Sequence, residues 1–263
     1  MPMFPFHIWL PQAHTEAPTG GSIILAAILL KLGTYGFMRF SLPLFPDASL
    51  FFIPLISVLA ILGILYSCIA AISLIDLKQI IAYSSIAHMN VSLIGLFSND
   101  LNGIAGCFLY SLSHGFISAG LFLLVGLLYD RYHTRTLKYY RGLVLFMPLY
   151  SLSFFLFILM NISFPGSLAF IAELFIYLSS LTLSPFHMLA ISFVGILLPI
   201  YIIWTFHKIT FGSLSPYFLS LSSDLTLKES HLLFPLAFLT IFFGLFSSLI
   251  LNDLYPSLSL LLL

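Results

Sequence analysis

The sequence predicts an all-α, polytopic transmembrane helix bundle with one discontinuous helix, and three observations carry that prediction. Of 263 residues, 60% are hydrophobic and only 7% are charged, with a mean hydropathy of +1.12. A soluble domain of this length needs far more charged surface, so lipid must solvate most of the chain. Apolar runs also recur at the length of a bilayer crossing, about 20 residues for a hydrocarbon layer about 30 Å thick. Finally, one run is too long for a single straight helix and carries a proline and a glycine near its middle.

Taken in order, the chain starts with MPMFPFHIWLPQAH. Pro2, Pro5 and Pro11 break it up, and no basic segment precedes an uninterrupted apolar core, so it is not a signal or transit peptide. It is also too short and irregular to span a bilayer. Candidate spans then follow at Ile23–Phe40, Phe51–Ala71, Leu77–Phe97 and Ile104–Leu128, with a long stretch Leu143–Leu183 and two further spans at Met188–Phe206 and Leu232–Leu251. Turn and polar signals separate them: Pro43, Pro46 and Asp47; Asp76 with Lys78; Asn99, Asp100 and Asn102; RYHTRTLKYYRG; and the serine-rich GSLSPYFLSLSSDLTLKES. No soluble domain fits between them.

Leu143–Leu183 reads as two crossings or as one broken at Asn161-Ile162-Ser163-Phe164-Pro165-Gly166. Charge separates the two readings, because short loops on the cytoplasmic or matrix side collect Lys and Arg. With a single broken crossing, Lys78, Arg131, Arg135, Lys138, Arg141, Lys208 and Lys228 share one side, and only Arg39 lies on the other. With two crossings, Lys208 and Lys228 change sides and the asymmetry weakens. One crossing broken near 163–166 is therefore expected, giving about seven crossings over residues 20–263 with RYHTRTLKYYRG on the positive side.

Several polar residues fall where lipid would penalise them. Lys31 sits mid-span, about 13 Å of helix from either end, too deep for easy snorkelling. A lysine at that depth costs at least about 2.5 kcal/mol unless it faces protein or water. Glu173, eight residues after Pro165, is the one acidic residue inside the proposed spans. Each is read as a functional ionisable group or as half of a structural ion pair holding two helices together. His88 lies on a stripe with Ser84 and Ser92, and His114 on a stripe with Ser111 and Ser118, so each helix presents one polar face. A histidine exchanges protons near neutral pH, so the pair is read as a relay, against the plainer reading of satisfied core residues.

Other classes of function find no support in the residues. Nine Lys+Arg balance nine Asp+Glu, leaving no basic excess for nucleic acid. Cys68 and Cys107 lie in apolar runs without metal-ligand spacing and read as small buried hydrophobes. No Gly-rich phosphate loop, cysteine cluster or haem-type histidine pair occurs, so no cofactor is expected on this chain.

Five blocks resemble a known family. MPMFPFHIWLPQAHTEAPTGGSIILAAILLKLGTYGFMRF, DLKQIIAYSSIAHM, LSHGFISAGLFLLVGLLYDRYHTR, NISFPGSLAFIAEL and DLTLKE follow the order found in the antiporter-like, proton-pumping subunits of respiratory complex I, in the branch of its subunit 4. The resemblance implies the C-terminal part of an inverted-repeat fold in which each repeat has one broken helix. Residues 1–19 then correspond to the trailing half of the first broken helix plus a loop, and Leu143–Leu183 to the second. It further implies that Lys31 is the central proton-carrying lysine, that His88 and His114 line a buried hydrophilic axis, and that Glu173 is its terminal acidic group. Other membrane-arm subunits, membrane lipids and the mitochondrial inner membrane are the implied surroundings. The family's front helices, with a further lysine and an essential glutamate, are absent from this sequence, and a separate chain supplying them is expected. The homologous subunits of multi-subunit sodium/proton antiporters and a non-pumping spacer of the membrane arm are the alternatives.

Overall fold

A computed structural model describes residues 2–213 and 223–262, the last three by backbone alone. The middle of the serine-rich segment, 214–222, lies outside the described residues. Among those described, the regular structure is helical: α1 (Trp9–Glu16), α2 (Thr19–Leu44), α3 (Pro46–Ser73), α4 (Leu77–Leu96), α5 (Leu101–Tyr132), α6 (Pro148–Asn161), α7 (Leu168–Leu183), α8 (Pro185–Thr210), α9 (Leu227–Leu245) and α10 (Ser248–Leu262).

Burial sorts these helices by polarity. Five are long and apolar enough to cross a membrane: α2, α3, α5, α8 and α9. In α3 and α9 only 22% and 17% of the most apolar window is buried, so their Leu, Ile and Phe side chains face outward, as a lipid-facing helix requires. α4 does the opposite. Its Ser, His and Asn side chains keep it out of that apolar set, and nearly every residue from Leu77 to Phe97 is buried. This helix is thus enclosed by α1, α3, α5 and α7, where its polar side chains meet partners rather than hydrocarbon. α5 is the central strut, 72% buried over its apolar window.

The long run Leu143–Leu183 forms two helices laid end to end along α5, the arrangement a single broken crossing requires. Tyr150 at the start of α6 donates a 3.3 Å hydrogen bond to the Leu124 carbonyl, and Phe157 lies on Gly120. Further along, Ala172 and Phe175 of α7 lie on Gly106, and Ser179 on Gly103. Contacts therefore descend α5 without turning back, so α6 and α7 form one antiparallel track interrupted at residues 162–167. Ser163 and Gly166 adopt positive φ at 61° and 100°, and Pro165 has no backbone N–H, so the helix cannot continue through them. The backbone of Gly166 and Ser167 rests on Gly244 of α9, where a Cβ would collide with the Gly166 carbonyl oxygen.

Basic residues gather accordingly. Lys138, Arg141 and Lys208 line one cavity, Arg131 reaches Glu229 beside Lys228, and Arg135 hydrogen-bonds the Thr15 carbonyl. Arg39, late in α2, is at the other end, where neighbouring Phe37 meets Phe97. Two expectations need correction. Lys78 is not in a separating loop: it is the second residue of α4, 2% exposed, and donates to the Ala17 carbonyl at 3.0 Å. Nor does the last helix run from Leu232 to Leu251. It starts at Leu227, stops at Leu245, and a separate helix, α10, begins at Ser248. Phe246, two residues after Gly244, leaves helical geometry at φ −115° and ψ 49° with no proline at the bend.

The DLTLKE block builds a clamp at the basic end. Asp224 accepts from the N–H groups of Leu149 and Tyr150 at 2.9 and 3.1 Å, capping α6. Thr226 and Glu229 form a reciprocal capping box at the start of α9. The same Glu229 pairs with Arg131 at the end of α5 at 2.6 Å.

Candidate functional site

Lys31 occupies the middle of α2, just after a turn of π-helix at Leu25–Leu29. A π turn loosens the carbonyl ladder, and the Ala26 carbonyl accepts a short hydrogen bond from Lys31 Nζ. On its other side Nζ lies 2.7 Å from His114 Nδ1 of α5. His114 faces His88 of α4, with ring centroids 5.3 Å apart and a small cavity of about 10 Å³ beside them, room for about one water molecule.

His88 has a partner on each ring nitrogen. Tyr110 Oη, one turn below His114 on α5, lies 2.5 Å from Nδ1, and Asn161 Oδ1, the last residue of α6, lies 2.9 Å from Nε2. With the Asn161 oxygen toward the ring, Nε2 carries the hydrogen and Nδ1 accepts from Tyr110. Ser163, inside the break, is a side-chain neighbour of both Tyr110 and Glu173. Glu173 then accepts a 2.9 Å hydrogen bond from Tyr177, one turn on. A row of polar side chains thus runs Lys31, His114, His88, Tyr110, Ser163, Glu173, Tyr177 through four helices and the break. His88, His114 and Glu173 are 4%, 4% and 8% exposed.

The four residues singled out in the sequence therefore lie in one row, but not for every reason first given. Lys31 and Glu173 are not an ion pair: among the described residues the single salt bridge is Arg131–Glu229. Nor do the serine stripes serve the histidines. Ser84, Ser92, Ser111 and Ser118 each donate to a carbonyl three residues back in their own helix. The connecting groups are Tyr110, Asn161, Ser163 and Tyr177, which carry no charge; Asn161 and Ser163 were read only as part of the break, and Tyr110 and Tyr177 gave no sequence signal. His14 of α1, also unassigned by sequence, stacks on Phe122 at 4.4 Å within electrostatic reach of Lys31 and Lys78.

Fold and site together define a polytopic membrane protein whose interior polar row is shielded from lipid by apolar helices. A family model described as NADH:quinone oxidoreductase/Mrp antiporter, transmembrane, matches residues 1–199, and the chain belongs to that family. It is 48% identical over 257 residues to the NADH-ubiquinone oxidoreductase chain 4 of Chondrus crispus, covering 98% of this chain and 52% of that relative. Against the chain of the same name from Acanthamoeba castellanii it is 49% identical, with 96% and 51% covered. A chain of respiratory complex I from Thermus thermophilus with bound NADH superposes with a TM-score of 0.91 at 30% identity, over 99% of this chain and 55% of that one. A chain of the Mrp complex from Dietzia shares the fold at a TM-score of 0.86 and 19% identity. The chain spans about half the length of the curated relatives it matches.

Proposed function

We propose that the chain is the rear part of a proton-translocating subunit in the membrane arm of NADH:ubiquinone oxidoreductase, multi-pass in the mitochondrial inner membrane with its basic end toward the matrix. The observation that carries this reading is the Lys31–His114 contact at 2.7 Å, continued through His88 and Tyr110 to the break at Ser163 and Glu173. Two cations that close do not coexist in a low-dielectric interior, so the pair holds one proton and titrates as a unit. When charge elsewhere in the assembly changes, that proton passes from Lys31 Nζ to His114 Nδ1, and its equivalent leaves the other ring nitrogen for His88 Nδ1 once that nitrogen has turned from Tyr110; turned back, Nδ1–H gives its proton to Tyr110 Oη as the Tyr110 hydroxyl proton moves on to Ser163. Tyr110 and Ser163 hand it across the break to Glu173.

No cofactor on this chain belongs to the reading, and electrons move in other subunits. Its partners are those subunits and the front half of the fold, in the same polypeptide or another. The family model spans both complex I and the Mrp antiporters, but identities of 48–49% with chains named NADH-ubiquinone oxidoreductase chain 4, against 19% with the Mrp chain, favour this over a sodium/proton antiporter. A non-pumping spacer would have no use for a connected row of ionisable groups carrying this desolvation cost.

Lys31→Ala and Glu173→Ala test the reading in the assembled complex. Proton pumping and coupled quinone reduction should each fall severalfold, while NADH still reduces an artificial acceptor, because on this reading electron entry takes place in other subunits. Full pumping in an assembled Lys31→Ala variant overturns it.

A further inference from the structure

A cavity of about 500 Å³ opens at the basic end, away from the polar row. Three elements build it: the end of α3 at Ile72–Ile75, the segment 137–142 that follows α5, and the end of α8 from Trp204 to Phe211. Backbone bonds fix their relation, with Leu137 N–H donating to Ile75 O at 2.9 Å and Gly142 N–H to Phe211 O at 3.3 Å. Lys138, Arg141 and Lys208 line it, and no carboxylate does.

Other cations at this end are engaged. Arg131 has Glu229, Arg135 has the Thr15 carbonyl and the Tyr129 ring, and Lys78 has the Ala17 carbonyl. Among the described residues neither Lys138 nor Arg141 has an ion pair, and Lys208 has only the face of Trp204 at 3.5 Å. Grouping three cations costs energy through mutual repulsion unless an anion joins them. The mouth is apolar toward the membrane: Trp204 is 45% exposed, and Ile69, Ile200 and Ile203, at 62%, 57% and 50%, continue outward along the adjoining α3 and α8. Cations over an aromatic ring, above an apolar seam, match a phosphodiester attached to acyl chains.

We infer that this cavity binds the headgroup of an anionic phospholipid, its phosphate held by Lys138, Arg141 and Lys208 and its acyl chains lying along α3 and α8. The inference stands on the membrane topology and is independent of the proton-transfer reading. A soluble phosphate would share the headgroup chemistry without using the seam.

The test uses the assembled membrane complex in neutral detergent, incubated with phosphatidylglycerol carrying a diazirine high on one acyl chain, then irradiated and mapped by peptide mass spectrometry. Labelling of peptides containing Ile69–Ile75 and Ile200–Phe211 is expected with phosphatidylglycerol and not with the matching phosphatidylcholine. It should drop at least about tenfold in Lys138→Gln/Arg141→Gln/Lys208→Gln, since each Lys or Arg near an anionic lipid contributes roughly fivefold in binding, and should survive excess inorganic phosphate. Equal labelling by phosphatidylcholine, undiminished labelling in the triple variant, or no labelling at these peptides overturns the proposal. Displacement by inorganic phosphate also overturns it and reassigns the cavity to a soluble anion. If the triple variant does not assemble, the lipid comparison on the unaltered complex decides alone.

Discussion

Tyr110 is the residue on which the row depends most and which the sequence concealed best. Its hydroxyl is 2.5 Å from His88 Nδ1, its ring stands edge-on to His88 at 5.5 Å, and Ser163 lies beyond it. Tyr110→Phe keeps the ring and removes the hydroxyl that the proposed relay needs between His88 and the break. It also leaves His88 Nδ1 without its donor, a cost of about 1–3 kcal/mol, small enough for assembly to continue. Pumping and coupled quinone reduction should fall severalfold with NADH oxidation by an artificial acceptor unchanged. Ser111→Ala is the control, because that hydroxyl bonds only the Phe108 carbonyl of its own helix at 2.8 Å. Equal loss in both variants, measured on matched amounts of complex, would refute a relay through Tyr110. Lys31, His88, His114 and Glu173 were legible because ionisable groups in apolar runs demand an explanation from composition alone. Tyr110, Asn161 and Tyr177 are ordinary residues in a membrane helix, and only contacts such as Asn161 with His88, 73 positions apart, give them a place.

At the scale of elements, the same division between local and distant causes explains which boundaries could be read. The break after Asn161 is written in Pro165 and Gly166, so α6 ends where the sequence says it must. By contrast, the bend after Leu245 is marked in the sequence only by Gly244, a residue also common inside membrane helices, and the closest constraint nearby is the backbone of Gly166 and Ser167 pressed on that glycine. Gly244→Ala should therefore displace α9 from the break and lower the thermal stability of the assembled complex, with Gly20→Ala, where nothing lies within 4 Å of an added Cβ, as the unaffected comparison. The two ends of the broken crossing are held differently. At the basic end Asp224 caps α6, and Asp224→Ala should cost about 1–2 kcal/mol, read as a lower melting temperature. Asp224→Asn should retain much of the cap, because its side-chain oxygen still accepts a hydrogen bond. An unchanged melting temperature in Asp224→Ala would mean that the clamp does not hold α6.

Across the whole molecule the seven basic residues predict the orientation, because a single crossing of residues 143–183 would put them on one side. Had that stretch crossed twice, Lys208 would lie on the opposite face from Arg141, yet the two line one cavity. The prediction can be tested without disturbing the polar row. His133 and Ser213 are exposed at the basic end, and Asp47 is exposed at the other, beyond the end of α2. Cys68 and Cys107 are fully buried, so native thiols should contribute little background. Single His133→Cys, Ser213→Cys and Asp47→Cys variants, treated with a membrane-impermeant maleimide in sealed vesicles of known orientation, should separate into two groups. His133→Cys and Ser213→Cys react from the same side, and Asp47→Cys reacts from the other. In a mitochondrial inner membrane the shared side should be the matrix, since short loops retained there carry the excess of Lys and Arg. Reaction of the first two from opposite sides would require a second crossing between them, and it would separate Asn161 and Ser163 from Glu173 and dissolve the proton row along with the topology.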